Sequence, residues 1–254
     1  MKNIIQVVTF LLITLSIASC SVENSIIDTK PNANNSNQTI VTAIPAVKTR
    51  EQTINYLALG DSYTFGESVC EKCTFPFQLK TALQNTNLKN NFSSKVIAQT
   101  GWTTTNLLDA INNQNLNPTY DLVTLLIGVN NQFQRQSFSL YQVEFPALVS
   151  KSIALAKGDK SNLIVVSIPD YAYTPSSQAL GNMVSISSEI DNYNRFARNY
   201  CQDNGIRFID ITEITRGGII DKDLVAVDGL HPSEKAYGLF VERIAPIAAN
   251  VLNK

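Results

Sequence analysis

The chain has 254 residues, of which 44% are hydrophobic, and a formal net charge of −1. That length and apolar content suffice for one enzyme-sized domain with a substantial core, plus appendages. Long basic or acidic runs are missing from the sequence. We therefore expect no nucleic-acid partner, because binding a phosphate backbone requires a basic footprint.

The N-terminal segment 1–19 resembles a bacterial lipoprotein signal peptide. Lys2 precedes an apolar run, interrupted by Gln6 and Thr9, that leads to the letters I-A-S-C ending at Cys20. The run is shorter than the roughly 20 residues that cross a bilayer as a helix. I-A-S-C resembles the lipobox, which implies lipidation of Cys20 and anchoring in the cell envelope on the periplasmic or extracellular face of a bacterial membrane. An ordinary signal peptide and an uncleaved anchor helix remain alternatives.

Residues 20–53 are predicted to be the lipidated cysteine followed by a flexible tether. The segment is rich in Asn, Ser and Thr and has no apolar period that would form a buried face. Such composition does not support a packed core. The folded domain is therefore predicted to span 54–254.

Within 54–254, short aliphatic runs alternate with helical periods. The runs are INYLAL (54–59), KVIAQ (95–99), DLVTLLI (121–127), NLIVVSI (162–168) and IRFID (206–210). Each is typical of a buried parallel strand. Segments with an apolar residue every three or four positions, such as those from Ile186 and from Ala236, predict amphipathic helices. The alternation predicts an α/β fold, a three-layer α/β/α sandwich with a central parallel sheet of about five strands, whose site lies at the carboxyl ends of the strands.

The cysteines of the predicted domain are Cys70, Cys73 and Cys201. The C-E-K-C spacing is compatible with a zinc half-site or a redox motif, but further ligands and thioredoxin-like surroundings are missing from the sequence. A small structural disulfide or plain thiols is the simpler interpretation.

A serine follows the first predicted strand, in the sequence G-D-S-Y. Ser62 at a strand's carboxyl end is placed to act as a nucleophile, although Asp and Ser are also common helix caps. The chain's single histidine, His231, lies in D-G-L-H-P before the last helix, with Pro232 suited to its first turn. Asp228 on the same loop can orient the imidazole so that it accepts the serine proton. A packed or capping histidine is the alternative.

A serine that attacks a carbonyl group also needs donors for the oxyanion, and two strand ends supply them. Gly101 follows the second strand, and its missing Cβ lets a backbone N–H approach a ligand closely. Asn130 follows the third strand, and its side-chain amide is a donor. Taken singly, each is equally compatible with an ordinary turn.

Together these blocks resemble the GDSL/SGNH hydrolases, in order and in strand-end context. The blocks are GDSY (60–63), Gly101, GVNN (128–131) and DGLHP (228–232), within a match over residues 55–250. The resemblance implies a flavodoxin-like SGNH hydrolase fold, and it implies Ser62, Asp228 and His231 as the catalytic triad. It also implies an oxyanion hole formed by the Ser62 N–H, Gly101 and Asn130.

Two positions depart from the family pattern, and they leave the subfamily and the substrate open. Tyr63 stands where leucine often follows G-D-S, and Asn131 stands in place of the aspartate of G-x-N-D. The run SIPDY (167–171) could border the substrate pocket, although Pro169 and Asp170 are more simply a turn.

The function expected from these residues is hydrolysis of carboxylic esters through an acyl-enzyme, with no metal or organic cofactor. Short-chain acyl esters, lysophospholipids and acetylated carbohydrates remain open as substrates. Alternatives are acyl transfer to a sugar, a lipid-anchored binding protein that keeps the fold without catalysis, and a C-x-x-C redox protein.

Overall fold

The computed structural model describes residues 52–86, 90–179 and 181–253. The predicted signal peptide, Cys20 and nearly all of the predicted tether lie outside these ranges. The first strand begins at Thr53, one residue before the predicted start of the domain. Among the described residues, no helix has the length and apolar character needed to cross a membrane.

The strands form one parallel sheet. In the described part of the chain they are β1 (Thr53–Gly60), β2 (Asn91–Ala98), β3 (Leu122–Leu126), β4 (Leu163–Val166) and β5 (Arg207–Ile209). Their order is β2-β1-β3-β4-β5. Ala58 of β1 pairs with Val96 of β2 on one side and with Thr124 of β3 on the other. The predicted parallel sheet of about five strands is confirmed.

The prediction that every strand is buried is wrong for β2 and β5. Most side chains of β2 are exposed, Val96 by 44%, and those of β5 are only partly buried. Both are edge strands, so each has a neighbouring strand on one side only. By contrast, every residue of β3 and β4 is buried. β2 also begins at Asn91 rather than at residue 95.

Helices connect the strands and cover both faces of the sheet. Over the described ranges they are α1 (Ser62–Phe65), α2 (Phe75–Thr86), α3 (Thr104–Asn112), α4 (Val129–Phe133), α5 (Phe138–Leu155), α6 (Pro175–Gln178), α7 (Met183–Asp203), α8 (Thr212–Arg216) and α9 (Glu234–Leu252). α2 packs against α9, whereas α5 packs against α3 and α7. Because parallel crossovers are right-handed, a chain that steps from β1 to β2 and then back to β3 places these two groups on opposite faces.

The predicted amphipathic faces of α7 and α9 are buried as expected. Ile186, Ile190 and Tyr193 of α7 lie in the core, as do Phe240 and Ile244 of α9.

The start of α9 differs from the prediction. Pro232 precedes the helix and pairs with Val225 in an isolated antiparallel bridge. The cap is Ser233, whose hydroxyl accepts the Ala236 N–H, so the helix begins at Glu234. The bridge holds Pro232 in extended backbone, which explains why it lies outside the first turn.

The strand order determines where a site can form. The sheet grows in one direction from β1 to β2 and in the other from β1 to β3. Crossovers on opposite faces leave a crevice at the carboxyl ends of β1 and β3, where ligands of open α/β sheets bind. Ser62, Gly101 and Asn130 follow β1, β2 and β3 and therefore meet at this crevice.

Candidate active site

Ser62 is held at the end of β1 by a tight turn. A Cβ on Gly60 would lie 2.4 Å from the Leu126 carbonyl oxygen, so only glycine fits this close approach. Asp61 is the N-cap of α1, and its side chain accepts the Tyr63 N–H at 3.0 Å. Because Asp61 is the cap, the Ser62 side chain is not used for capping and lines the cavity described below.

Asp61 is a fully buried carboxyl next to the predicted nucleophile. Its Oδ2 has no hydrogen-bond partner in the described part of the chain. Burial raises the pKa of Asp61 to about 7, although the hydrogen bond from the Tyr63 N–H acts in the opposite direction. The neutral acid is therefore well populated near neutral pH.

The predicted base and its carboxylate are in direct contact. His231 Nδ1 lies 2.6 Å from Asp228 Oδ2. Asp228 Oδ1 accepts the backbone N–H groups of Leu230 and His231 at 2.9 and 3.0 Å. Gly229, with φ of +71°, makes this turn possible. The Asp228 contact favours the tautomer with the proton on Nδ1, which leaves Nε2 as the acceptor.

A second side chain, Ser68, holds Asp228. Its hydroxyl donates to Asp228 Oδ2 at 2.7 Å, the same oxygen that contacts His231. Burial acts to raise the pKa of Asp228, but hydrogen bonds from His231, Leu230 and Ser68 outweigh it and lower the pKa to about 2. Asp228 is therefore ionised at any pH near neutrality.

The three predicted oxyanion donors converge on the same crevice. Among the described residues, the backbone N–H groups of Ser62 and Gly101 have no acceptor. Asn130 Nδ2 donates one hydrogen to the Trp102 carbonyl at 3.0 Å, and its second hydrogen remains for a ligand. Gly101 has φ of +82°, which favours glycine, and its carbonyl is fixed by Gln134 Nε2 at 2.9 Å.

One cavity of about 220 Å³ brings these groups together. Its lining includes Ser62, Gly101, Asn130 and His231, and apolar surface from Val129 and Leu230. Ser62 Oγ has no hydrogen-bond partner within the described ranges, and it shares the cavity with the imidazole. In serine hydrolases without bound substrate, the hydrogen bond between nucleophile and base is often long and shortens only when substrate binds.

The two departures from the family pattern have structural explanations. The Tyr63 ring is buried and packs edge-on against the His231 ring, with centroids 5.7 Å apart. The Asn131 side chain accepts the Thr104 N–H at 2.9 Å and donates to Gln136 Oε1 at 3.1 Å. A carboxylate could accept the Thr104 N–H but could not donate to Gln136 Oε1, so the amide of Asn131 ties α4 both to the start of α3 and to the segment before α5.

Two residues of the site, Phe133 and Ser68, were not found from the sequence. Phe133 lines the cavity together with Tyr171, and Ser68 supports Asp228. Tyr171 ends the SIPDY run, which does border the pocket through this residue. Asp170 of the same run is buried, caps the turn Tyr171–Tyr173 and pairs with Arg216 at 2.9 Å. GVNN ends two residues before Phe133, but nothing in the pattern distinguishes this phenylalanine.

The cysteines match the simpler interpretation. Cys70 and Cys73 form a disulfide. Cys201 is a free thiol in the core, and burial raises its pKa to about 12. A thiol that stays protonated is a poor nucleophile and a poor metal ligand.

The fold is shared with solved hydrolases. A variant of Axe2, an acetyl xylan esterase from Geobacillus stearothermophilus, is 16% identical with a TM-score of 0.61, over 78% of this chain and 95% of that one. A lipase/acylhydrolase from Enterococcus faecalis is 17% identical with a TM-score of 0.60, over 78% and 96%. A lipolytic G-D-S-L family protein from Veillonella parvula is 16% identical with a TM-score of 0.57, over 79% and 99%. At these identities the likeness establishes the fold. No curated protein matches the sequence.

The sheet order and the strand-end crevice define an α/β protein of the SGNH hydrolase type. The chain belongs to the GDSL-like lipase/acylhydrolase family, whose sequence model matches residues 58–239. It is a hydrolase that acts on ester bonds. The family, the fold and this enzyme class are as the sequence predicted.

Proposed function

We propose that the protein hydrolyses short-chain carboxylic esters through an acyl-enzyme formed on Ser62. The observation that carries the proposal is the single cavity that gathers Ser62, Gly101, Asn130 and His231, with Asp228 Oδ2 2.6 Å from His231 Nδ1. This is the set of groups that acyl transfer to a serine requires.

In the proposed first half-reaction, Ser62 Oγ attacks the ester carbonyl carbon as its proton moves to His231 Nε2. The carbonyl oxygen becomes an oxyanion and accepts hydrogen bonds from the Ser62 and Gly101 N–H groups and from Asn130 Nδ2. Asp228 stabilises the imidazolium. When the tetrahedral intermediate collapses, the C–O bond breaks and His231 gives its proton to the departing alcohol.

In the second half-reaction, water replaces the alcohol. His231 takes a proton from the water, whose oxygen attacks the acyl carbon of the ester on Ser62. The same donors hold the second oxyanion, and collapse releases the carboxylic acid and regenerates the Ser62 hydroxyl. Each lost oxyanion donor typically costs about 2.7 to 4 kcal/mol of barrier.

The size of the cavity supports a short acyl group. At about 220 Å³ it is smaller than most pockets for drug-sized ligands, which run from about 300 to 1,000 Å³. An acetyl group needs far less room than a fatty acyl chain. The structural neighbours include an acetyl xylan esterase and a lipase/acylhydrolase, which supports ester substrates generally.

Turnover of p-nitrophenyl acetate by the wild type, Ser62→Ala and His231→Ala tests the proposal. We expect each variant to lose several orders of magnitude in kcat, because triad members act as a unit. Equal activity in all three proteins would eliminate the mechanism. Turnover by none of the three proteins, the wild type included, would instead favour a binding protein that keeps the fold without catalysis.

We also propose that the mature protein is attached to a bacterial membrane by lipid at Cys20. The proposal is supported by the I-A-S-C sequence after a short apolar run. Labelling of expressing cells with a palmitate analogue tests it. We expect label on the wild type and none on Cys20→Ala, and undiminished label on that variant would refute the anchor.

A further inference from the structure

A larger cavity adjoins the proposed catalytic cavity. It has a volume of about 750 Å³ and lies between the α4–α5 connection and the first half of α7. Phe133 and Tyr171 line both cavities. Their rings meet edge-on with centroids 5.8 Å apart, and Phe133 is 55% exposed. A molecule whose ester occupies the catalytic cavity could therefore extend past Phe133 into the larger one.

The inner surface of this larger cavity is aromatic and aliphatic. Ile186, Tyr193 and Tyr171 are buried there, and Phe138 packs against Tyr193 with ring centroids 4.9 Å apart. Such a floor offers flat apolar surface to a ligand.

The rim, in contrast, is rich in amides. Gln132, Gln136, Asn182 and Asn192 belong to the lining, together with Ser185. Gln136, Asn182 and Asn192 are partly or fully exposed and offer amide N–H donors to vicinal hydroxyl groups, whereas Gln132 is buried and is bonded at both ends within the protein. Ligand sites commonly combine an apolar surface with a few polar groups that fix orientation.

A chain of hydrogen bonds holds part of this rim in place. The Tyr171 hydroxyl donates to Gln132 Oε1 at 2.9 Å, and Gln132 Nε2 donates to Glu189 Oε2 at 2.8 Å. The Ser185 hydroxyl donates to Glu189 Oε1 at 3.2 Å. These hydrogen bonds from Gln132 and Ser185 stabilise the charge of Glu189. In the part of the chain that the structure describes, Arg135 is the other charged residue that lines the cavity. One charge of each sign does not select an ionic ligand.

From this lining we infer that the larger cavity is a subsite for a neutral, polyhydroxylated alcohol portion of the ester, such as a sugar ring. The inference rests on the proposed function, since it assigns the leaving-group side of the same reaction. The apolar face of a pyranose would pack on the Phe133 and Phe138 rings while its hydroxyls bond the amides. A fatty acyl chain is disfavoured, because it would desolvate the amide rim without replacing its hydrogen bonds.

Blocking the subsite tests the inference. Ser185→Trp on the full chain places an indole in the larger cavity and leaves the catalytic cavity untouched. Val184→Trp is the matched control, because Val184 is the preceding residue on α7, is 86% exposed and does not line the cavity. Thermal melting of both variants checks that each folds.

The substrates are p-nitrophenyl acetate, acetylated xylobiose and p-nitrophenyl laurate. We expect Ser185→Trp to lower kcat/KM on acetylated xylobiose about tenfold or more, mainly through KM, and by a clearly smaller factor on p-nitrophenyl acetate, whose leaving group is a single ring. Val184→Trp should change neither. Unchanged xylobiose turnover in Ser185→Trp, or a loss confined to the laurate ester, would overturn the inference, as would a wild type that hydrolyses p-nitrophenyl acetate but not the sugar ester.

A binding measurement separates this inference from the proposed mechanism. Calorimetry of xylobiose with Ser62→Ala, and with Ser62→Ala/Ser185→Trp, reports on the subsite without any turnover. We expect binding to the first protein and none to the second. If the wild type fails to hydrolyse p-nitrophenyl acetate while Ser62→Ala still binds xylobiose, the mechanism is wrong and the subsite stands. Absence of xylobiose binding to Ser62→Ala refutes the subsite.

Discussion

Ser68 has two properties whose effects can be separated by substitution. Its hydroxyl bonds Asp228 Oδ2, and its backbone has φ of +65°, a left-handed conformation that costs an L-residue about 1–2 kcal/mol. A serine at a position that favours glycine points to a role for the hydroxyl.

We expect Ser68→Ala and Ser68→Gly to reduce kcat/KM on p-nitrophenyl acetate by a similar factor, about five- to tenfold, because both lose the bond to Asp228. In both, the pKa of Asp228 should rise from about 2 toward its ordinary value. Ser68→Gly should be more stable than Ser68→Ala by about 1 kcal/mol, since glycine adopts the positive φ at this position without strain. Kinetics and urea unfolding measure the two effects. If Ser68→Gly were clearly more active than Ser68→Ala, activity would depend on the backbone conformation at position 68 and not on the hydroxyl.

At the level of elements, α1 begins with a cap whose charge is destabilised. The pKa of Asp61 is raised to about 7 by burial, so the folded state holds its proton more tightly than the unfolded chain, whose aspartate pKa is about 3.9. Stability linked to Asp61 is therefore fully present below about pH 4 and is lost as the pH rises to about 7.

Asp61→Asn keeps an acceptor for the Tyr63 N–H and removes the titration. From pH 4 to pH 7 the wild type should lose stability that Asp61→Asn does not lose. We therefore expect the unfolding free energy of the variant, relative to that of the wild type, to increase over this range by on the order of a few kcal/mol. Urea unfolding at both pH values measures this difference. A gap between the two proteins that does not change with pH would contradict the account of Asp61.

The Cys70–Cys73 disulfide closes a short loop next to Ser68. Because the two cysteines are only 3 positions apart, the disulfide restricts the unfolded chain little, and the resulting stabilisation is at most about 2 kcal/mol. We expect the double variant Cys70→Ser/Cys73→Ser to lose stability up to that amount and to keep esterase activity. Loss of all activity without unfolding would instead support the alternative of a C-x-x-C redox function.

Much of the element pattern was predictable, because buried strands and amphipathic helices differ in period. Edge strands were not, since the run KVIAQ has an apolar centre like that of a central strand, and only the sheet order shows that β2 is an edge. Pro232 was misplaced because a residue suited to a first helical turn is also suited to the extended bridge with Val225.

The whole molecule explains why the predicted residues could be found and the others could not. Strand-end loops of a parallel sheet meet at one edge, so short local blocks locate Ser62, Gly101 and Asn130 in advance. Ser68 meets Asp228 across 160 positions, and Phe133 meets Tyr171 across two strand-end segments. Contacts of that range depend on packing that no local pattern encodes.

The central claim is that Ser62 is the residue that becomes acylated, with His231 as its base. The most direct test is intact-mass analysis and peptide mapping after treatment with a fluorophosphonate, which reacts with activated serines. The account predicts one adduct, on the peptide that contains Ser62, with none in Ser62→Ala and much slower labelling in His231→Ala. An adduct on another residue, or labelling that is unchanged in His231→Ala, would contradict it.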